Sequence, residues 1–329
     1  MVLFVETVGI VGAGVMGSAI AEIAALSGRR VLLHDADPDA LARGRKRAAG
    51  LLHELADFQE RKADREIERL AREDGVELSS DQQARLRERR RPTFTAARAA
   101  EALARVTAAP DLSSFSACDL VIEAVVEDVA VKREVLAKLE SVAPRHAILA
   151  TNTSSLTVSN LARALSRPQR FLGLHFFNPP SDLPLVEVVA GAQTDEAAVE
   201  DATAFVRDLR NHRSGMLPVR VKDGPGFLVN RVLGRMLAEA FLCLEDGVAA
   251  RSDIDLAMRA GAGFPVGPLA LADHVGLDVL AHAMRALDEQ GFPREQRRPR
   301  VVDELVAAGR LGRKTGAGFY EYEPSATLR

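Results

Sequence analysis

Apolar residues fall in two rhythms along this chain. Short β-branched or aliphatic runs recur at Val8, Ile10 and Val11, at Val31 to His34, and in "CDLVIEAVVED", "AILATNTSSL", "RFLGLHFFNPP" and "LPLVEVVAG". Between them the spacing is helical: Met16, Ile20, Ile23, Ala24 and Ser27 with Gly28 placed to stop the helix, then Val135, Leu136 and Leu139, then Leu156 to Leu165. Strands that alternate with helices predict a mainly parallel sheet covered on both faces. From about 41 to 92 the rhythm changes. That stretch is long and densely charged, with Leu51, Leu52, Leu55 and Phe58 on a common apolar side, Gly75 as a break, Ser79 and Ser80 as caps, and Pro92 as a stop. It predicts an antiparallel helical pair inserted between strands. Beyond 216 no further strand is predicted. A helix starting near Pro225 carries Phe227, Val232, Met236, Ala240 and Leu244, with Leu228, Leu237 and Phe241 widening the stripe, and Ser252 is placed to cap a shorter one. Residues 1–216 therefore read as an α/β domain with an insertion at about 41–92, and 217–329 as an all-helical domain. The wide stripe suits a subunit interface.

The first strand–helix junction carries chemistry. Gly12, Gly14 and Gly17 fit G-x-G-x-x-G directly after a strand and at the start of a helix, and Asp35 ends the second strand. The first glycine permits a tight turn, the second lets backbone amides approach a pyrophosphate, and the third allows close helix–strand packing. An acid at the end of the second strand accepts from both ribose hydroxyls and repels a 2′-phosphate, which favours NAD over NADP. FAD shares the fingerprint and is the competing cofactor.

Composition narrows the class. The 329 residues suit two domains, 47% hydrophobic and 27% charged content is ordinary for a globular protein, and a net charge of −3 argues against a strongly basic nucleic-acid binder. Only Cys118 and Cys243 occur, far apart, so a reducing, cytoplasmic setting is the simpler expectation. The apolar N-terminus lacks a basic n-region and is interrupted by Glu6 and Glu22, and no run of apolar residues is long enough to span a membrane. The histidines show no metal-ligand spacing.

His175 is the polar exception in "GLHFFNPP". One reading is a core histidine bonded to a carbonyl. The other notes that ligands of parallel sheets gather at the C-terminal ends of strands, where Ser154, His175 and Asn178 all fall. An imidazole, with an ordinary pKa near 6.5, suits proton abstraction from a hydroxyl at neutral pH. Glu187 in "PLVEVV" is otherwise an unexplained acid in an apolar run. Ser154 reads equally as a helix cap and Asn230 equally as solvent-facing.

GAGVMG, Asp35, "VIEAVVE", "TNTSSL", "GLHFFNPP", "LVEVV", "KDGPGFLVNR", "GFPVGPLALADHVGLD" and "GRKTGAGFYEY" follow one another in this order. In that combination the chain resembles the 3-hydroxyacyl-CoA dehydrogenase family over nearly its whole length. The resemblance implies a Rossmann-like, doubly wound N-terminal domain, an all-α C-terminal domain that pairs subunits, NAD as cofactor, and oxidation of an (S)-3-hydroxyacyl-CoA to the 3-oxo thioester and back. It implies His175 as base with Glu187 as partner, and Ser154 and Asn230 holding the substrate oxygen and the histidine in position. Cofactor contacts are expected from Gly12, Gly14, Val15, Met16, Gly17, Asp35, Glu127, Lys132 and Asn152, and substrate contacts from Ser154, Asn178 and Asn230.

The cluster Arg85, Arg87, Arg89, Arg90, Arg91 reads either as a solvated face or, through Arg85 and Arg89, as a dock for the phosphates of coenzyme A. "NPPSDLPLVE" departs from the more hydrophobic stretch expected there, which keeps a sugar acid or a carrier-protein-bound acyl group open as substrate. A Ser154–His175–Glu187 hydrolase would lack the G-x-S-x-G elbow. A noncatalytic NAD-binding protein would need none of the polar residues at the strand ends. "GRLGRKTGAG" superficially resembles a phosphate loop without the Gly-Lys-Ser/Thr offset, and the glycines of "GAGFPVGP" read as turn residues.

Overall fold

The computed structural model describes residues 3–289 and 298–323, so the end of the expected second domain, 324–329, lies outside the described residues. The chain divides into two compact units, 1–223 and 224–329.

The first unit is built on one eight-stranded sheet of order β3-β2-β1-β4-β5-β6-β7-β8. Its strands are β1 (Thr7–Val11), β2 (Arg30–His34), β3 (Val106–Ala108), β4 (Leu120–Glu123), β5 (Ile148–Thr151), β6 (Phe171–Phe176), β7 (Leu185–Ala190) and β8 (Leu217–Lys222). All neighbours run parallel except β6 and β7. The order reverses between β1 and β4, the switch point where doubly wound sheets open a crevice. Helices α1 (Val15–Leu26), α2 (Pro38–Glu60), α3 (Lys62–Glu73), α4 (Ser80–Arg89), α5 (Ala96–Ala104), α6 (Val129–Val142), α7 (Val158–Ala162) and α8 (Glu196–Asp208) complete it. β1, β4 and β5 are buried throughout, and with α1 and α8 they enclose the main apolar core.

Four helices, not a single pair, separate β2 from β3. α2 is the long one, and Leu52 and Leu55 are buried as the periodicity predicts. Phe58 is half exposed instead, with the Arg65 guanidinium 5.2 Å from its ring centre. The charged pair is α3 and α4. Ser79 caps α4 in a reciprocal box with Gln82, and Arg87–Asp64 (2.9 Å) and Arg90–Glu66 (2.8 Å) staple the two helices. β3 and β8 escape the sequence pattern because neither is an apolar run. β3 is three residues long with only Val106 buried, and β8 carries Pro218, Arg220 and Lys222 along a partly exposed sheet edge. Since β8 pairs with β7 over Leu217–Lys222, the first unit runs on past 216, to Asp223.

The second unit holds α9 (Val229–Glu245), α10 (Arg251–Ala262), α11 (Pro268–Val275), α12 (Leu277–Glu289) and α13 (Val301–Ala307). α9 begins after Phe227, which has φ 49°, rather than at Pro225, and Ala250 occupies the cap of α10, leaving Ser252 in its first turn. Two buried aspartates organise this unit. Asp255 accepts from the amides of Leu269 and Ala270 at the start of α11 and from the Tyr320 hydroxyl. Asp273 accepts from the amides of Phe319 and Tyr320 and from the Tyr322 hydroxyl. Burial, together with these acids, raises the pKa of both tyrosines, so they stay neutral donors. "GRKTGAGFYEY" is thus the latch of the unit, with Lys314 bonded to Asp278 at 2.7 Å. Among the described residues no helix is long and apolar enough to cross a membrane.

Replacing Asp273 by Ala strands three donors, one fully and two partly buried, and is expected to lower stability by about 3–4 kcal/mol in urea unfolding. Increased amide exchange should be concentrated at Phe319 and Tyr320; an unchanged midpoint would remove Asp273 from this role.

Candidate active site

β6 and β7 are the one antiparallel pair, and their register sets His175 directly opposite Glu187. Directly opposed residues share a face of the sheet with their Cβ atoms about 5 Å apart. The His175 Nδ1 to Glu187 Oε2 distance is 2.7 Å, with the carboxylate wholly buried and the imidazole 6% exposed. An ionised carboxylate only accepts, so Nδ1 carries the proton in that bond and Nε2 is left as the basic nitrogen. The partner of Nδ1 is therefore a buried carboxylate rather than a backbone carbonyl.

His175 lines a cavity of about 290 Å³ together with Met16, Lys132, Asn152, Ser154, Phe177 and Asn178. These residues come from the ends of neighbouring elements: the start of α1, the turns after β5 and β6, and the first turn of α6. Asn152 supports the histidine strand, since its Oδ1 accepts from the Phe176 amide at 2.9 Å. Asn178 opens the turn that ends β6, and its bond to Pro179 is cis.

A second network, buried at Glu123, Lys132, Thr151 and Thr153, forms the next wall. Glu123, at the end of β4, is wholly buried; its Oε1 accepts from the Val125 amide and from Lys132 Nζ (2.7 Å), and its Oε2 from the Thr151 hydroxyl (2.7 Å). Such a carboxylate is tolerated inside a sheet because its charge is paired and both oxygens are bonded. Lys132 Nζ also lies 3.2 Å from Glu127 Oε2. Glu127 Oε1 in turn gathers the Thr153 hydroxyl (2.5 Å), the amides of Ser154 and Ser155 (3.1 Å each) and the Ser155 hydroxyl (2.9 Å). Burial works against ionisation of Glu127, but the Lys132 charge and the Thr153 and Ser155 hydroxyls outweigh it and hold its carboxyl below the usual range. Glu127 therefore clamps the turn that presents Ser154, and Lys132 bridges two carboxylates. Glu123, Thr151 and Thr153 were given no role from sequence; an acid ending the apolar run "VIE" was the available signal.

The glycine turn fits a dinucleotide. Gly12 has φ 102°, and a Cβ there would stand 2.4 Å from Ala124 O; one on Gly17 would stand 1.7 Å from Gly12 O. Gly14, the N-cap of α1, has nothing within 4 Å of its would-be Cβ, and no side chain caps the helix. Amides at an uncapped helix start, above open space, are what a pyrophosphate requires. Asp35, just past β2, accepts from the Ala13 amide at 2.8 Å, which ties it to the turn. Val15 is exposed at the helix start.

Arg85 and Arg89 are exposed on α4 and are not among the residues lining the cavity, while Arg87 and Arg90 are taken by the acids of α3. Asn230 stands in the first turn of α9, in the second unit. Cys118 and Cys243 form no disulfide, and burial pushes the Cys118 thiol up to about 12. Among the described residues no group of His, Cys, Asp and Glu could hold a metal ion.

Lys132→Met leaves Glu123 buried and uncompensated and is expected to cost about 3–5 kcal/mol in unfolding, with partial recovery in Lys132→Met/Glu123→Gln. Because the folded pKa of Glu127 is lowered, its contribution is complete above the unfolded value near 4.5 and is lost as pH falls through the lower folded value. Glu127→Gln should flatten the acid limb of stability against pH; an unaltered limb would argue against the clamp.

Comparison with known proteins adds the following. Residues 7–85 and 65–224 match the 3-hydroxyacyl-CoA dehydrogenase NAD binding domain, the two matches overlapping within α3 and α4, and residues 226–322 match the C-terminal domain of the same family. The chain is 37% identical over 325 residues to the mitochondrial hydroxyacyl-coenzyme A dehydrogenase of Sus scrofa, covering 98% of this chain and 92% of that protein. It is 37% identical over 323 residues to 3-hydroxybutyryl-CoA dehydrogenase of Bradyrhizobium diazoefficiens, with 98% and 97% covered. The crystal structure of (S)-3-hydroxybutyryl-CoA dehydrogenase from Ralstonia eutropha is similar at TM-score 0.79 and 35% identity, covering 97% of this chain and 100% of that one.

Proposed function

Because the chain belongs to the 3-hydroxyacyl-CoA dehydrogenase family, and is an NAD-dependent dehydrogenase of that family, we propose that it interconverts short or medium-chain (S)-3-hydroxyacyl-CoA and 3-oxoacyl-CoA with His175 as the general base. The observation that carries this assignment is the 2.7 Å bond from His175 Nδ1 to the buried Glu187, in a cavity beside the uncapped glycine turn.

We assign the roles as follows. NAD, when bound, supplies the hydride acceptor. Gly12, Gly14, Val15, Met16 and Gly17 form the seat for its pyrophosphate and Asp35 accepts from the ribose. His175 Nε2 takes the hydroxyl proton during oxidation and returns it during reduction. Glu187 fixes the tautomer and stabilises the imidazolium that forms. Ser154, on the turn clamped by Glu127, donates to the substrate oxygen, and Asn178 and Asn230 are assigned to the substrate as well. Lys132 and Glu127 act on the cofactor side chiefly by shaping this wall, and Asn152 by supporting β6. Arg85 and Arg89 serve the coenzyme A phosphates in this reading. We place the enzyme in the cytoplasm as a homodimer paired through the second unit, whose Val232, Val248 and Leu256 are exposed.

His175→Gln is expected to lower kcat about 10²–10⁴-fold with NADH affinity retained. Loss of NADH binding and of thermal stability together would return His175 to a structural role. NADH oxidation measured beside each other with acetoacetyl-CoA, free acetoacetate and a 3-keto sugar acid, with NADPH as control, tests the substrate class. Turnover confined to the thioester is the expected result; turnover of a free acid alone would overturn the coenzyme A assignment.

A further inference from the structure

A second cavity, of about 480 Å³, opens where the ends of α1 and α2 meet α5 and the turn at 210–212, and no residue lines both it and the cavity of His175. Its size lies within the range of small-molecule sites. The lining is of two kinds. Leu26, Leu55, Phe94 and Ala102 give an apolar wall that belongs to or adjoins the small core between α2 and α5. Against it stand Arg98, Arg105, Arg210 and His212, with Glu101 as the one acid.

We propose that this basin binds a small molecule bearing a phosphate or carboxylate on an apolar body. Three guanidinium groups facing one carboxylate leave an excess of positive charge. The side chains of Arg105 and Arg210 bond to no described residue, so their forks remain for a ligand. Arg98 is held in place by donating to Thr93 O at 2.7 Å. The turn opposite is equally fixed: Asn211 Oδ1 accepts from the amides of Arg213 and Ser214, Asn211 Nδ2 donates to Pro180 O, and the His212 amide donates to Ser181 O. The His212 ring rests on Glu22 Oε1 at 3.0 Å, and Glu22, wholly buried in α1, has its second oxygen without a partner among the described residues. Arg98 and the backbone of the turn are thus held before binding, while Arg105 and Arg210 give up rotamer freedom when they engage the ligand. None of these groups takes part in the dehydrogenase chemistry assigned above.

The test is calorimetric titration of phenyl phosphate into the full-length protein saturated with NADH, which keeps the dinucleotide seat filled. Binding with a Kd below about 1 mM is expected, weakened at least about tenfold in Arg105→Ser/Arg210→Ser, while turnover of acetoacetyl-CoA by that variant without phenyl phosphate stays at the wild-type rate. Amide exchange on the unmodified protein gives an independent reading, with protection by phenyl phosphate confined to 94–105 and 210–212. No heat up to about 10 mM, equal affinity in the double variant, or protection elsewhere would each overturn the site. Inorganic phosphate binding as tightly as phenyl phosphate would overturn the apolar half of the proposal.

Discussion

A single reversal of strand direction places the site chemistry. Along β1, β4, β5 and β6 the strands run parallel, and their ends deliver the glycine turn, Ser154 and His175 to one crevice. A parallel seventh strand would meet β6 through slanted, evenly spaced bonds and in a different register. The antiparallel β7 instead sets Glu187 across from His175. The tautomer of the imidazole is thereby determined by backbone pairing, which is stiffer than any loop. The chain has to turn back at once after Phe176 for that register to form, and the Asn178-Pro179-Pro180 turn does so.

The Glu123–Lys132–Glu127 network completes the enclosure one strand away. Burying the charges of Glu123 and Lys132 adds little to stability, because desolvation consumes most of the attraction. What the network supplies is position. Lys132 fixes Glu127, Glu127 draws the amides of Ser154 and Ser155 inward, and Thr151 ties Glu123 to β5. The two buried acids of the second unit, Asp255 and Asp273, work on the same principle with hydroxyl and amide donors in place of a cation.

The central strands were legible in sequence because burial on both faces demands continuous aliphatic runs, and the glycine turn because steric necessity leaves no substitute at Gly12 and Gly17. β3 and β8 were not, since an edge strand half in water needs no apolar pattern. Phe58 misled for a related reason: an aromatic ring under an arginine satisfies itself at the surface. Of the site residues, those at strand ends were visible by type and place. The clamping role of Glu127 was invisible, because it depends on amides that become neighbours only when β4 and β5 pair.

The two strands that the pattern missed have a consequence of their own. Every open sheet exposes two rows of unpaired backbone groups on which another chain could polymerise. Here one margin is only three residues long, and the other carries a proline and two cations, with Arg220 tied to Glu196. Proline removes a donor, and charge repels an incoming strand of like sign. The features that made these strands hard to recognise are therefore the ones that keep an eight-stranded sheet from seeding fibrils through its borders.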